Sequence, residues 1–146
     1  MVFISATRIK VRSPWYLWPF FLANEAAAKQ LCATNGFIDG MELIDKNLTF
    51  WTLTMWHMDV DMKTFRNSEA HKKAMQKLPL WCSEASYVHW TQEEHQLPAW
   101  QTVYNKITTE GKLTKVQKPS ANQLKNIFPQ IKWDKTARKL KPVSVK

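Results

Sequence analysis

Residues 37–57, FIDGMELIDKNLTFWTLTMWH, decide the fold. Two β-rich runs, 37–45 and 48–57, are separated only by Lys46 and Asn47. A connection that short joins antiparallel neighbours, because a parallel pair needs a crossover. In the second run Phe50, Thr52, Thr54 and Trp56 share one face, and Trp51, Leu53, Met55 and His57 share the other. Both faces carry large apolar groups, so both are expected to be covered and the strand to be central. Gly40 is a candidate bulge in the first run.

Working outward, residues 2–12 (VFISATRIKVR) are β-branched and alternate, which predicts a strand with one buried face. Ser13-Pro14 reads as an N-cap followed by a proline at the first helical position, and predicts a helix over 14–33 that Pro19 kinks or restarts. Asn35-Gly36 stops it. Downstream, Asp59 or Asp61 caps a helix over 60–78, with a bend where Asn67-Ser68 interrupts it and Pro79 at its end. Residues 84–91 (EASYVHWT) predict a fourth strand, and Pro98 opens a helix over 98–110. Ser120 caps a short helix that runs to Phe128 before Pro129. The order βαββαβ predicts an α+β, ferredoxin-like domain over 1–111, with a basic C-terminal extension over 112–146. Helices then cover one sheet face. The other needs a partner, and a two-fold homodimer packed sheet on sheet is the expected solution.

The chain has 146 residues, a net charge of +9 and 45% hydrophobic residues, enough for one domain with a real core. Its three glycines, Gly36, Gly40 and Gly111, cannot compose a dinucleotide fingerprint or a P-loop. Residues 1–105 are electrically neutral, and the whole +9 falls in 106–146. Such a stretch either wraps the domain as a solvated extension or contacts an anionic partner. Only Phe128 and Trp133, with Tyr104 nearby, could stack on bases, so sequence-specific nucleic-acid binding is not expected. The most apolar run, Pro14 to Ala23, is about half the ~20 residues of a membrane span. It reads as a buried helix start or an interfacial patch, with no transmembrane segment. No secretory signal opens the chain, so Asn47-Leu-Thr49 carries no weight as a glycosylation acceptor and a cytoplasmic protein is expected. Cys32 and Cys82 lack metal-ligand spacing and read as buried hydrophobes. No zinc motif can be written with the histidines, and no metal site is expected.

The blocks Phe50-Trp-Thr-Leu-Thr-Met-Trp56, Phe65-Arg-Asn-Ser-Glu-Ala-His71 and Trp81-Cys-Ser-Glu-Ala85, with His89-Trp90, resemble a family of unknown function. That family groups with the antibiotic-biosynthesis-monooxygenase-like proteins and the spheroidene monooxygenases. The resemblance spans roughly 3–92 and includes Thr7-Arg8-Ile9 and Gly36 to Gly40. It implies a dimeric α/β barrel with a pocket in each subunit and monooxygenase-like chemistry on a hydrophobic aromatic or polyene substrate. It implies either no cofactor or haem. The haem-degrading relatives place a tryptophan and a ligating histidine where this chain, aligned on Ser68, has Phe65 and Met75, a departure that argues against haem degradation.

His71, Arg66 and His57 are the candidate catalytic residues. An imidazole titrates near neutrality and can act as a general base, as an iron ligand or as a packing group bonded back to the bent helix. Arg66 could hold an anionic substrate group or pair with Asp61, Glu69 or Glu84. Trp51, Trp56, Phe65, Met75, Tyr87 and His89 are the candidate pocket walls, since a tryptophan cluster can form a flat surface for an aromatic ligand. The alternative reading is a non-catalytic module that binds a hydrophobic ligand or regulates a partner, its basic tail on an anionic surface.

Overall fold

The computed structural model describes residues 1–46, 48–130 and 137–143. Asn47 of the glycosylation triplet and Trp133 lie outside the described residues. Strands β1 (Val2–Val11), β2 (Phe37–Asp45), β3 (Thr49–Trp56) and β4 (Cys82–Gln92) form an antiparallel sheet in the order β4-β1-β3-β2. Helix α1 (Pro14–Cys32) follows β1, and α2 (Asp59–Arg66) and α3 (Glu69–Trp81) follow β3. This is the expected βαββαβ plan. The long helix breaks at Asn67-Ser68, and Ser68 takes the extended N-cap conformation of α3. Pro19 sits inside a continuous α1, which Ser13 caps by accepting from the Trp15 N–H. The irregularity in β2 falls between Phe37 and Asp39 rather than at Gly40. Gly40 is needed for a different reason: a Cβ there would lie 3.0 Å from the Leu53 carbonyl oxygen and 3.1 Å from the Phe37 ring.

The face of the sheet away from α1–α3 is covered by the chain itself. Helix α4 (Trp100–Glu110) lays Val103 and Ile107 onto Val2, Ile4, Ala6, Leu43, Trp51, Leu53, Met55 and Val88, all buried. Leu97, Trp100, Tyr104 and Phe128 close the layer. Each large side chain withdrawn from water here contributes about 1.5–3 kcal/mol. The expectation of a sheet-on-sheet homodimer rests on an uncovered apolar face. Residues 97–128 already cover it, so that driving force is removed.

The extension is stitched to both edges of the sheet. Strand β5 (Lys112–Leu113) pairs with β4, and strand β6 (Arg138–Leu140) pairs with β2. Between them Ser120 caps α5 (Ala121–Lys125), which Asn126 ends in the left-handed region at φ 56°. The Gln123 amide accepts from the Ala85 N–H at 3.2 Å and donates to the Ala85 and Thr114 carbonyls, so one side chain continues the β4 ladder. Covering edges in this way blocks strand addition by other chains.

Candidate functional site

The other face of the same sheet holds a cavity of about 320 Å³ beneath α1, α2 and α3. Its origin is local. Ser5 and Thr7 of β1 lie opposite Thr54 and Thr52 of β3, and Ala23 and Ala27 of α1 and Ala74 of α3 stand above them. Small side chains thus face one another across the layer and leave space. Trp56, Phe65, Met75 and Tyr87 line it. Trp56 donates its indole N–H to Thr54 Oγ1 at 2.9 Å, and Thr54 donates to the Ser5 carbonyl, so the polar floor is internally bonded.

His71, His89 and Arg66 also line the cavity. His71 comes from the first turn of α3, directly after the helix break, and its ring packs 4.8 Å from Phe65. Its Nδ1 lies 3.2 Å from the Arg66 carbonyl oxygen. A carbonyl only accepts, so Nδ1 carries the proton and Nε2 keeps its lone pair. His89 of β4 registers with Ser5, and its ring lies 5.3 Å from both Phe3 and Tyr87. Burial, with the Arg66 charge added to it, pushes both imidazoles below their ordinary value. Each is therefore an uncharged base at neutral pH. Among the described residues Arg66 makes none of the ion pairs with Asp61, Glu69 or Glu84 considered above, and it is the one cation on the cavity lining. Glu84 instead pairs with Arg8 at 2.8 Å on the opposite face.

Two expected site residues are elsewhere. Trp51 is fully buried in the opposite layer, its ring 6.4 Å from Tyr104. His57 follows the end of β3, is exposed, and donates its backbone N–H to the Gly36 carbonyl. The reason is parity. Trp51, Met55 and His57 alternate together, whereas Tyr87 and His89 register with Thr7 and Ser5 on the cavity face. Moreover β1 separates β3 from β4.

The sequence reading missed Glu42 and Arg138. Glu42 sits opposite Thr52, so the hairpin register carries it onto the cavity lining. Its carboxylate accepts from Asn24 at 3.3 Å and from Arg138 at 2.8 Å, and burial raises its pKa. Arg138 also bonds Glu25 of α1 at 2.6 Å. One guanidinium from the extension thus ties α1 to β2 beside the cavity.

Burial pushes the Cys82 thiol up to about 12 and also raises Cys32, which disfavours the thiolate at both. Among the described residues no cluster of three or more His, Cys, Asp or Glu side chains could hold a metal ion. No described helix is long and apolar enough to cross a membrane.

The lining is a poor match for haem's two propionates. The cavity is at the small end of the range for organic ligands, and among the described lining residues Arg66 alone would answer two propionates.

No family model and no curated protein matches the chain. Solved structures do. A conserved protein from Methanosarcina mazei Go1 superposes at TM-score 0.57 with 12% identity, over 64% of this chain and 94% of its own. A Mycobacterium tuberculosis protein gives 0.59 and 9%, over 66% of this chain and all of its own. A cofactor-independent oxygenase from Streptomyces nogalater gives 0.55 and 13%, over 67% of this chain and 98% of its own. Antibiotic biosynthesis monooxygenases are among the others. The fold is that of the antibiotic biosynthesis monooxygenases. At these identities the likeness concerns the fold. Nearly the whole of each of these structures is spanned by about two thirds of this chain, which therefore carries substantial sequence beyond the shared fold.

Proposed function

We propose that the protein is a small oxygenase that oxidises a compact hydrophobic aromatic substrate with an acidic C–H group. The observation that supports this is the pairing of two uncharged imidazoles with one guanidinium on an otherwise apolar cavity. His71 or His89 accepts the substrate proton. Arg66 stabilises the resulting enolate-like anion, whose charge a guanidinium fork suits. The anion carbon then forms a C–O bond to dioxygen, and the peroxide takes the proton back from the imidazolium. Loss of water converts the hydroperoxide to a carbonyl. Overall a CH₂ and O₂ become C=O and H₂O, and the substrate supplies all the electrons. The cavity volume favours a compound of a few fused rings over a long polyene.

The test is oxygen uptake by the purified protein on a hydroxylated tricyclic ketone with an acidic methylene group. One O₂ is consumed per substrate, and Arg66→Gln and His89→Gln each slow turnover by about a hundredfold or more. Equal rates in wild type and both variants would sink the reading.

A second reading, a non-catalytic binder of a hydrophobic ligand, is favoured by one contact. The His71–Arg66 carbonyl bond closes the joint between α2 and α3, a structural task. On that reading His71→Ala keeps ligand affinity and no substrate is turned over.

A further inference from the structure

The outward face of α1 is apolar where it should be polar. Trp15 is 89% exposed and Trp18 67%, and Phe21 and Leu22 continue the stripe, at the three- to four-residue spacing of one helix face. The inward face of the same helix lines the cavity through Phe20, Ala23 and Ala27, so α1 carries apolar side chains on both sides. Among the described residues no core is built on the outer side, and two exposed indoles on one short face exceed what a solvated helix carries.

The surroundings of this stripe are basic. Arg12 stacks on Tyr16 at 4.6 Å and donates to the Leu80 carbonyl, which brings the half-exposed Leu80 and the end of α3 beside the start of α1. Lys77 is exposed on that last turn. The Val11 N–H bonds the Leu48 carbonyl, placing the β2–β3 turn and the exposed Lys46 at the same end. The Gln117 N–H bonds the Pro79 carbonyl, placing the exposed Lys115 and Lys118 there too. Asp45 in the turn is the one acid in these segments besides the buried Glu84, and no acid precedes Glu25 in the sequence.

We infer that this end of the molecule docks on an anionic lipid bilayer, with Trp15, Trp18, Phe21 and Leu22 in the headgroup region and the lysines on the lipid charges. Tryptophan is suited to that boundary because its ring is apolar and its N–H is polar. A helix with Trp, Phe and Leu on one face and flanking cations lies in the interface plane rather than spanning it. A second copy of the chain is the weaker occupant. A two-fold contact would bring the lysine rims of both copies together, and like charges oppose that. The inference stands on the outer face of α1 and is independent of the chemistry assigned to the cavity.

The experiment is co-sedimentation of the full chain with vesicles of phosphatidylcholine, with and without phosphatidylglycerol, across a salt series. Binding is expected only to the vesicles containing phosphatidylglycerol. It weakens as salt rises, and tryptophan emission shifts to the blue. The double variant Trp15→Ser/Trp18→Ser, altered only at exposed positions, loses about tenfold or more in partitioning at unchanged thermal stability. Lys46→Glu/Lys77→Glu weakens binding to anionic vesicles as well. Three results overturn the inference. One is no binding to either vesicle at low salt. Another is binding that the tryptophan variant leaves unchanged. The third is a dimer in solution that the tryptophan variant dissolves, which would make a second copy the occupant.

Discussion

The two faces of the central sheet are built from the same strands by the same alternation, yet one is filled and the other hollow. On the filled face Ile4, Ala6, Leu43, Trp51, Leu53 and Met55 meet α4 and Phe128, and none of those strand residues is more than 1% exposed. On the hollow face Ser5, Thr7, Thr52 and Thr54 meet alanines on α1 and α3. The difference teaches that side-chain volume, and not topology, places the cavity. Helices α1–α3 cover one surface of the sheet and α4 the other, and this chain makes a cavity beneath the first and a core beneath the second.

Breaking the filled face should have the largest effect. Trp51→Ala removes a fully buried ring and is expected to destabilise by about 3–5 kcal/mol in chemical denaturation, without altering the cavity lining. Arg8→Ala should follow at about 3 kcal/mol, because it leaves the buried Glu84 carboxylate with Lys10 alone at 3.6 Å. Replacing the pair together, Arg8→Met with Glu84→Leu, should recover most of that loss. Gln123→Ala should cost about 1–2 kcal/mol, since it strips the edge of β4 of the bonds to the Ala85 N–H and carbonyl.

Filling the hollow face should leave stability nearly alone and damage function. Thr52→Leu is expected to change stability by less than about 1 kcal/mol and to weaken binding of an aromatic ligand about tenfold, measured by calorimetry. The smallest effect is acid sensitivity. His71 and His89 have depressed values in the folded protein, so the unfolded chain takes up protons first as pH falls. Their contribution is therefore constant above about 6.5 and turns destabilising below it. Denaturation midpoints should fall below that pH, and the decline should be shallower in His71→Ala. For the same reason the acid limb of kcat/KM should lie below 6.5.

Much of this comparison was legible in the chain. The short connection at Lys46-Asn47 and the period-two pattern of 48–57 were enough for the hairpin, and Asn67-Ser68 marked the helix break. Phe65, Met75, Trp56, Tyr87, His89, Arg66 and His71 all reach the cavity. Trp51 and His57 were misplaced because alternation groups residues onto a face without saying which face is hollow. Only the register with β1, where Thr52 meets Thr7 and Thr54 meets Ser5, reveals that. The extension was least legible. Its charge read as a solvated or partner-binding tail, because long-range pairings such as Arg138 with Glu42, or Gln123 with Ala85, leave no local pattern. The +9 is accordingly not separate from the cavity: its single arginine, Arg138, is bonded to a lining carboxylate.

The central claim is that ligand enters the hollow face and not the filled one. The indole N–H resonances of Trp56 and Trp51 report on the two faces separately. Titration with a naphthol followed by ¹⁵N–¹H spectra should move the Trp56 signal, whose N–H bonds Thr54 on the cavity floor, and leave Trp51 in place. A shift at Trp51 with Trp56 unmoved would contradict the account.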